Sequence, residues 1–180
     1  MKKVSLILLV VCMLFSAAGC TVLDEVNSLV TPTQAVFSIE SYGLQVTADS
    51  TFKENTGGSF DLQITNGSCY VSFMVYKYID LPEGVTPLEV YDMQNEDLLS
   101  KRTAVKTVEE TETQTLSQGT VTKTLYSAEK DGVKNYYASY LMDLPGAETF
   151  AWVLVTATPS YQEHNRVYLH DIVCSLTIPQ

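Results

Sequence analysis

Basic side chains are scarce in this chain: 11 lysines and arginines stand against 21 aspartates and glutamates, a formal charge of −10 over 180 residues. That balance argues against binding nucleic acid phosphates or anionic lipid by charge attraction, and leaves basic partners or neutral ligands. Long apolar runs are missing too. The longest, Val4 to Phe15, is interrupted only by Ser5 and would rise about 18 Å as a helix, well short of the roughly 30 Å of a bilayer's hydrocarbon. There is no repeat of 20 to 50 residues and no low-complexity tract. What is present is a globular composition: 46% hydrophobic, 18% charged and 10% aromatic residues, enough for one domain with a core of its own.

The first twenty residues read as an address. Lys2 and Lys3 precede the apolar run, and the small residues Ser16-Ala17-Ala18-Gly19 lead to Cys20, the layout of a secretory signal that is removed. The ending Ala17-Ala18-Gly19-Cys20 resembles the bacterial lipobox, although Ala17 stands where leucine is usual. The resemblance implies that Cys20 carries diacylglycerol and becomes the first residue of a mature lipoprotein. Each buried methylene contributes roughly 0.8 kcal/mol, so such an anchor holds a protein at a membrane without help from its charge. Loss of Met1 to Gly19 removes two lysines and no acid, moving −10 to −12. We expect residues 1–19 to be a leader, 20–34 the lipidated cysteine and a tether, and 35–180 one globular domain on the outer face of the cell membrane.

Within that domain, alternation on either side of Gly43 over Val36 to Thr47 predicts two short strands, and Ser59 to Thr65 alternates again. Asn66-Gly67 is a hairpin signal, and Asp131-Gly132 predicts a second hairpin between strands at 121–126 and 136–144. Residues 69–79 and 150–157 are apolar or aromatic on both faces, the mark of strands covered on two sides. Thr86-Pro87-Leu88-Glu89 is a capping box that opens a helix over 87–102. The threonine-rich stretch 103–116 reads as a solvated outer strand, Gly119 breaks the run, and Ser160 to Cys174 reads as a closing helix.

These elements predict an α+β fold, a single α/β/α sandwich around a mostly antiparallel sheet. Their order, with the Thr-Pro helix start, Gly119 in the long hairpins and a C-terminal Ile172-Val173-Cys174-Ser175-Leu176, resembles the PsbP-like family. That family joins the PsbP photosystem subunits, the Ran-binding Mog proteins and the DcrB-like lipoproteins. The resemblance implies a non-enzymatic binding or assembly module with no shared catalytic set and no cofactor.

The residues themselves offer little chemistry. His164 and His170 lie six apart on the last helix, about 120° around its axis, a poor metal pair. No Gly-x-Ser-x-Gly elbow supports a hydrolase, and Gly57-Gly58 precedes a strand rather than an anion-binding helix. Glu109, Glu110 and Glu112 lack calcium-loop spacing and read as a solvated edge. Cys69 and Cys174 are an even pair, either a disulfide or two buried thiols. Of the eleven tyrosines, Tyr70, Tyr76, Tyr78, Tyr136 and Tyr140 would form a contact surface or an aromatic pocket if their two strands are neighbours, or else a core with hydroxyls at its rim. The expected function is a membrane-anchored, extracytoplasmic, non-catalytic module for an envelope protein or small ligand. The alternative is an envelope hydrolase or transferase whose pocket holds a perturbed carboxylate or His164.

Overall fold

A computed structural model describes residues 33–179; Cys20, the leader and all but the end of the tether lie outside the described residues. The elements run β1 (Gln34–Ile39), β2 (Leu44–Asp49), β3 (Lys53–Glu54), β4 (Leu62–Thr65), β5 (Cys69–Lys77), α1 (Pro87–Ser100), β6 (Thr103–Leu116), β7 (Gly119–Lys130), β8 (Val133–Leu144), β9 (Thr149–Ala157) and α2 (Pro159–Cys174). Seven strands form one antiparallel sheet in the order β3, β4, β5, β9, β8, β7, β6, and β1 pairs with β2 in a separate hairpin.

Local chemistry accounts for most boundaries. Thr86 Oγ1 accepts from the Glu89 backbone N–H while the Glu89 carboxylate accepts from the Thr86 N–H, so α1 starts at Pro87 as its capping box requires. Thr158 caps α2 by its hydroxyl alone, which accepts from the Tyr161 N–H, again with proline at the first helical position. Asp131 and Gly132 both adopt positive φ (53° and 76°), as a two-residue turn matching the strand twist demands, and β7 and β8 are thereby longer than the alternation predicted. The strand expected over 69–79 stops at Lys77, because Tyr78–Asp80 form a 3-10 turn.

Core formation follows from period two in β9, the central strand, where eight of nine residues are buried. Its Phe150, Trp152 and Leu154 face α1, meeting Val90, Tyr91 and Leu98. Its Ala151, Val153 and Val155 face the opposite layer, made of α2 (Leu169, Ile172, Val173) and the β1–β2 hairpin (Leu44, Val46, Ala48). Each fully buried aliphatic or aromatic side chain contributes about 1.5–3 kcal/mol. The predicted sandwich is therefore present, with the N-terminal hairpin sharing one outer layer with α2.

Hydrogen bonds fix where α2 lies against β2. The Thr47 N–H donates to Ser175 Oγ at 2.9 Å, and the Tyr168 hydroxyl donates to the Asp49 carboxylate at 2.8 Å. Gln45 and Thr177 exchange both backbone bonds. Pinned on that side, α2 leaves its other flank facing β6 and β7.

Candidate functional site

A charged trough lies between α2 and the β6–β7 edge of the sheet. On α2 the residues Gln162, Arg166 and His170 recur every fourth position and so form one stripe, with Glu163 and Val167 beside it. Across from them, Val121, Lys123 and Leu125 alternate onto the same face of β7. The trough opens to about 350 Å³ between Glu109, Glu112, Lys123, Arg166 and His170. A recess of about 240 Å³ continues it toward Tyr136 and Gln162.

Glu109 sits at the centre. It accepts from Lys123 Nζ at 2.6 Å and from Arg166 Nη1 at 3.4 Å, which ties α2 to the sheet across the trough. The Lys123 side chain is only 12% exposed, so its ammonium depends on that carboxylate for compensation. The bond to Arg166 is solvated and contributes little stability.

Both Glu109 and Glu112 line this face because β6 is bulged. In register, Glu109 lies opposite Leu125 and Glu112 opposite Lys123, so three steps on β6 match two on β7. The extra residue turns two carboxylates that a regular strand would place on opposite faces onto one. The outer strand is solvated as expected and through its bulge also supplies the trough's central acid, for which a bulge leaves no alternation signal in the sequence.

Cys69 and Cys174 are both free thiols, so the disulfide weighed from the sequence is not formed. Cys69, where β5 begins, lies 3.6 Å from Asn66 Oδ1, whereas Cys174, ending α2, lies 3.4 Å from His170 Nε2. Burial pushes the Cys174 thiol up to about 11, and Asp171 adds to the effect. A thiol so protonated is a poor nucleophile despite its histidine neighbour. Among the described residues no group of three or more His, Cys, Asp or Glu side chains converges to hold a metal.

The His170 imidazole titrates below its ordinary 6.5, first because of burial and next because of Lys123, with Asp171 and Glu112 opposing. The unfolded chain therefore takes up this proton first as pH falls. Stability is expected to decline from about pH 6.5 downward, until the folded-state group also titrates. His170→Gln should flatten that part of the decline; urea midpoints of parent and variant at pH 7, 6 and 5 would show it, and parallel declines would refute it.

The tyrosines do not form one surface, because β9 lies between β5 and β8. Thr156 pairs with Tyr70 on one side and Tyr137 on the other, so Tyr137 shares the face of Tyr70, and Tyr136 and Tyr140 point to the opposite layer. Tyr70 is exposed. Tyr76 stacks on Phe150 at 5.0 Å, and its hydroxyl accepts from Gln94 of α1 at 3.0 Å. Tyr78 donates to the Asp143 carboxylate and borders a separate cleft of about 540 Å³ with Lys77 and Glu148. Tyr136 lines the α2 recess, while Tyr140 is 1% exposed, and burial raises its hydroxyl's pKa. His164, named for the alternative reading, is exposed and lines none of these cavities; its Nδ1 lies 2.7 Å from the Ser160 carbonyl. Asp143 is the carboxylate that burial holds above its ordinary value, and its partner is the Tyr78 hydroxyl rather than a histidine or a nucleophile.

No protein-family model and no curated protein sequence matches this chain. Solved structures do. The solution structure of cyanobacterial PsbP (CyanoP) from Synechocystis sp. PCC 6803 aligns with a TM-score of 0.60 at 8% identity, covering 82% of this chain and 94% of that one. The Saccharomyces cerevisiae Ran-binding protein Mog1p aligns with a TM-score of 0.54 at 13% identity, covering 82% and 96%. At such identities the likeness concerns the fold alone: the domain has a PsbP/Mog1-like fold, as its element order implied.

Proposed function

We propose that this chain is a lipid-anchored, extracytoplasmic, non-catalytic binding module. A diacylated Cys20 holds it at the membrane, and the trough along α2 receives its ligand. The fold carries the binding part of this reading, since Mog1p, which shares it, is a Ran-binding protein. The trough's own chemistry supports it: its central charges are paired with one another, and its one thiol neighbour is protonated. The address rests on Lys2, Lys3, the apolar run and Ala17-Ala18-Gly19-Cys20. With −10 overall, electrostatic attraction to an anionic bilayer does not supply the attachment, and acyl chains do.

Membrane fractionation of a native host tests the address. The parent chain is expected in the membrane fraction with a mass increased by diacylglycerol on Cys20, and Cys20→Ser should shift essentially all of it to the soluble fraction or leave it as unprocessed precursor. A parent that is soluble, with an unmodified Cys20, would overturn the proposal.

A further inference from the structure

The two edges of the seven-stranded sheet differ sharply in length. One is β3, two residues long; the other is β6, fourteen residues long and exposed throughout except at Glu109 and Leu116. Only β7 pairs with β6, and among the described residues no main-chain hydrogen bond from any other element reaches it. In an antiparallel ladder alternate residues turn both main-chain groups toward the neighbour and those between turn theirs away, so about half of the β6 groups face open solvent. Exposed edges are commonly guarded by bulges, lysine or proline. Here the bulges fall between Thr103 and Glu112, as does Lys106, the one lysine of the strand. Residues 112–116 instead pair one for one with residues 119–123 and include neither lysine nor proline, a regular and unguarded run about as long as an ordinary strand.

From this we infer that the free edge of β6 receives an extended basic segment of another protein as an eighth strand, an attachment that goes beyond the trough and does not depend on it. The open ladder makes the site, and charge chooses its occupant. β6 carries Glu109, Glu110 and Glu112 against Lys106. Glu109 is engaged by Lys123 and Arg166, whereas Glu110 and Glu112 are exposed and have no ion pair among the described residues. Opposite charges on facing strands attract, and like charges repel. A second copy would bring the same three glutamates to the seam, and each chain carries −10 overall. Residues 20–33 of the chain itself hold Asp24 and Glu25 and no basic side chain, so they would add to the repulsion. A lysine- or arginine-bearing strand removes it. The faces of β6 set the pattern of that strand. Glu112 and Gln114 pair with Lys123 and Val121 on the α2 side, while the Thr113 hydroxyl meets that of Thr122 at 2.9 Å on the other. Basic residues at alternate positions then lie beside Glu112, and β-branched residues between them lie beside Thr113 and Thr115.

Nuclear magnetic resonance titration of the full-length chain in non-ionic detergent tests it with three short peptides: one alternating lysine with threonine or valine, its counterpart with glutamate for lysine, and the basic peptide with proline at its centre. The basic peptide should move the backbone amide signals of residues 110–116 saturably and slow hydrogen exchange at alternate residues there, while the other two do not at equal concentration. Reversing both exposed charges, Glu110→Lys with Glu112→Lys, should weaken the basic peptide about tenfold or more and let the acidic one bind. If that double variant does not fold, Glu110→Gln should weaken the basic peptide severalfold. Equal binding of the proline-bearing peptide would reduce the effect to charge attraction and overturn strand addition, and equal binding of the acidic peptide would overturn the choice of a basic partner. Shifts confined to Arg166 and His170, or silence along β6 with every peptide, would overturn the edge as a site. Slow exchange at these amides without peptide would give the edge to a second copy if it grows with protein concentration, or to residues 20–33 if it does not, and would overturn the proposal either way.

Discussion

Gly119→Ala is expected to destabilise the domain by about 4 kcal/mol or more, in the range reserved for direct backbone conflict. Gly119 opens β7 immediately after the β6–β7 turn, pairing with Leu116, while the next residue, Thr120, pairs with Asp143 near the end of β8. A Cβ at position 119 would lie 1.8 Å from the Asp143 carbonyl oxygen, 3.0 Å from its carbon and 3.2 Å from Pro145 Cδ. Two of these atoms belong to the main chain, so no rotamer change relieves the overlap. The strand ends must part, and the ladder bonds holding the long β7 and β8 together at that end go with them. At roughly 2–4 °C per kcal/mol for a chain of this size, the melting temperature should fall by about 8–16 °C, or the variant should fail to accumulate. A variant melting within a degree or two of its parent would show that β7 and β8 do not approach as closely as described.

The second large effect belongs to the α1 layer. Phe150→Ala is expected to cost about 3–5 kcal/mol, the usual range for removing a buried phenylalanine ring. Phe150 is 0% exposed, stacks on Tyr76 with an interplanar angle of 13°, and lies 5.7 Å from the Tyr78 ring. Deleting the ring removes its transfer free energy, leaves a cavity that central strand β9 is too constrained to collapse, and abolishes both aromatic contacts. Denaturant unfolding followed by tyrosine and tryptophan signals would measure the loss, and near-ultraviolet circular dichroism should weaken as Tyr76 and Tyr78 lose their fixed environment. A cost below about 1 kcal/mol would mean that these tyrosines form an adaptable surface instead of part of a packed layer.

That contrast marks where reading by strand fell short. The two covered faces expected for residues 69–79 are present in β5, where Met74 and Tyr76 pack with the α1 layer and Cys69, Val71, Phe73 and Val75 with the opposite one. Whether Tyr136 and Tyr140 joined Tyr70 and Tyr76 depended on what lay between the strands. β9 intervenes, and its register puts Tyr137 across from Tyr70. A shift of one residue moves every side chain of a strand to the opposite face, so an error in pairing undoes a contact surface even when every strand is correctly placed.

The candidate site was less legible than the fold for the same reason. Lys123, Arg166 and Gln162 carry no motif; they become a site when α2, pinned by Tyr168 and Ser175 to β2, lies alongside a β6 bent by bulges. Tyr136, expected from the sequence in a contact surface or an aromatic pocket, does line the recess, whereas Glu109, Glu112 and His170 stand out in the sequence as a solvated edge and a poor metal pair rather than as walls of one trough.

Turns, caps and periodicity arise among residues a few positions apart, and these the chain itself determined: the Asp131-Gly132 turn, the Thr86–Glu89 capping box, and the two-sided burial of β5 and β9. The lipobox-like Ala17-Ala18-Gly19-Cys20 is local in the same sense. The neighbours of β9 and the partner of Glu109 were decided only by tertiary structure. Each depends on surfaces brought together from distant parts of the chain, where packing and register, not local preference, select the contacts.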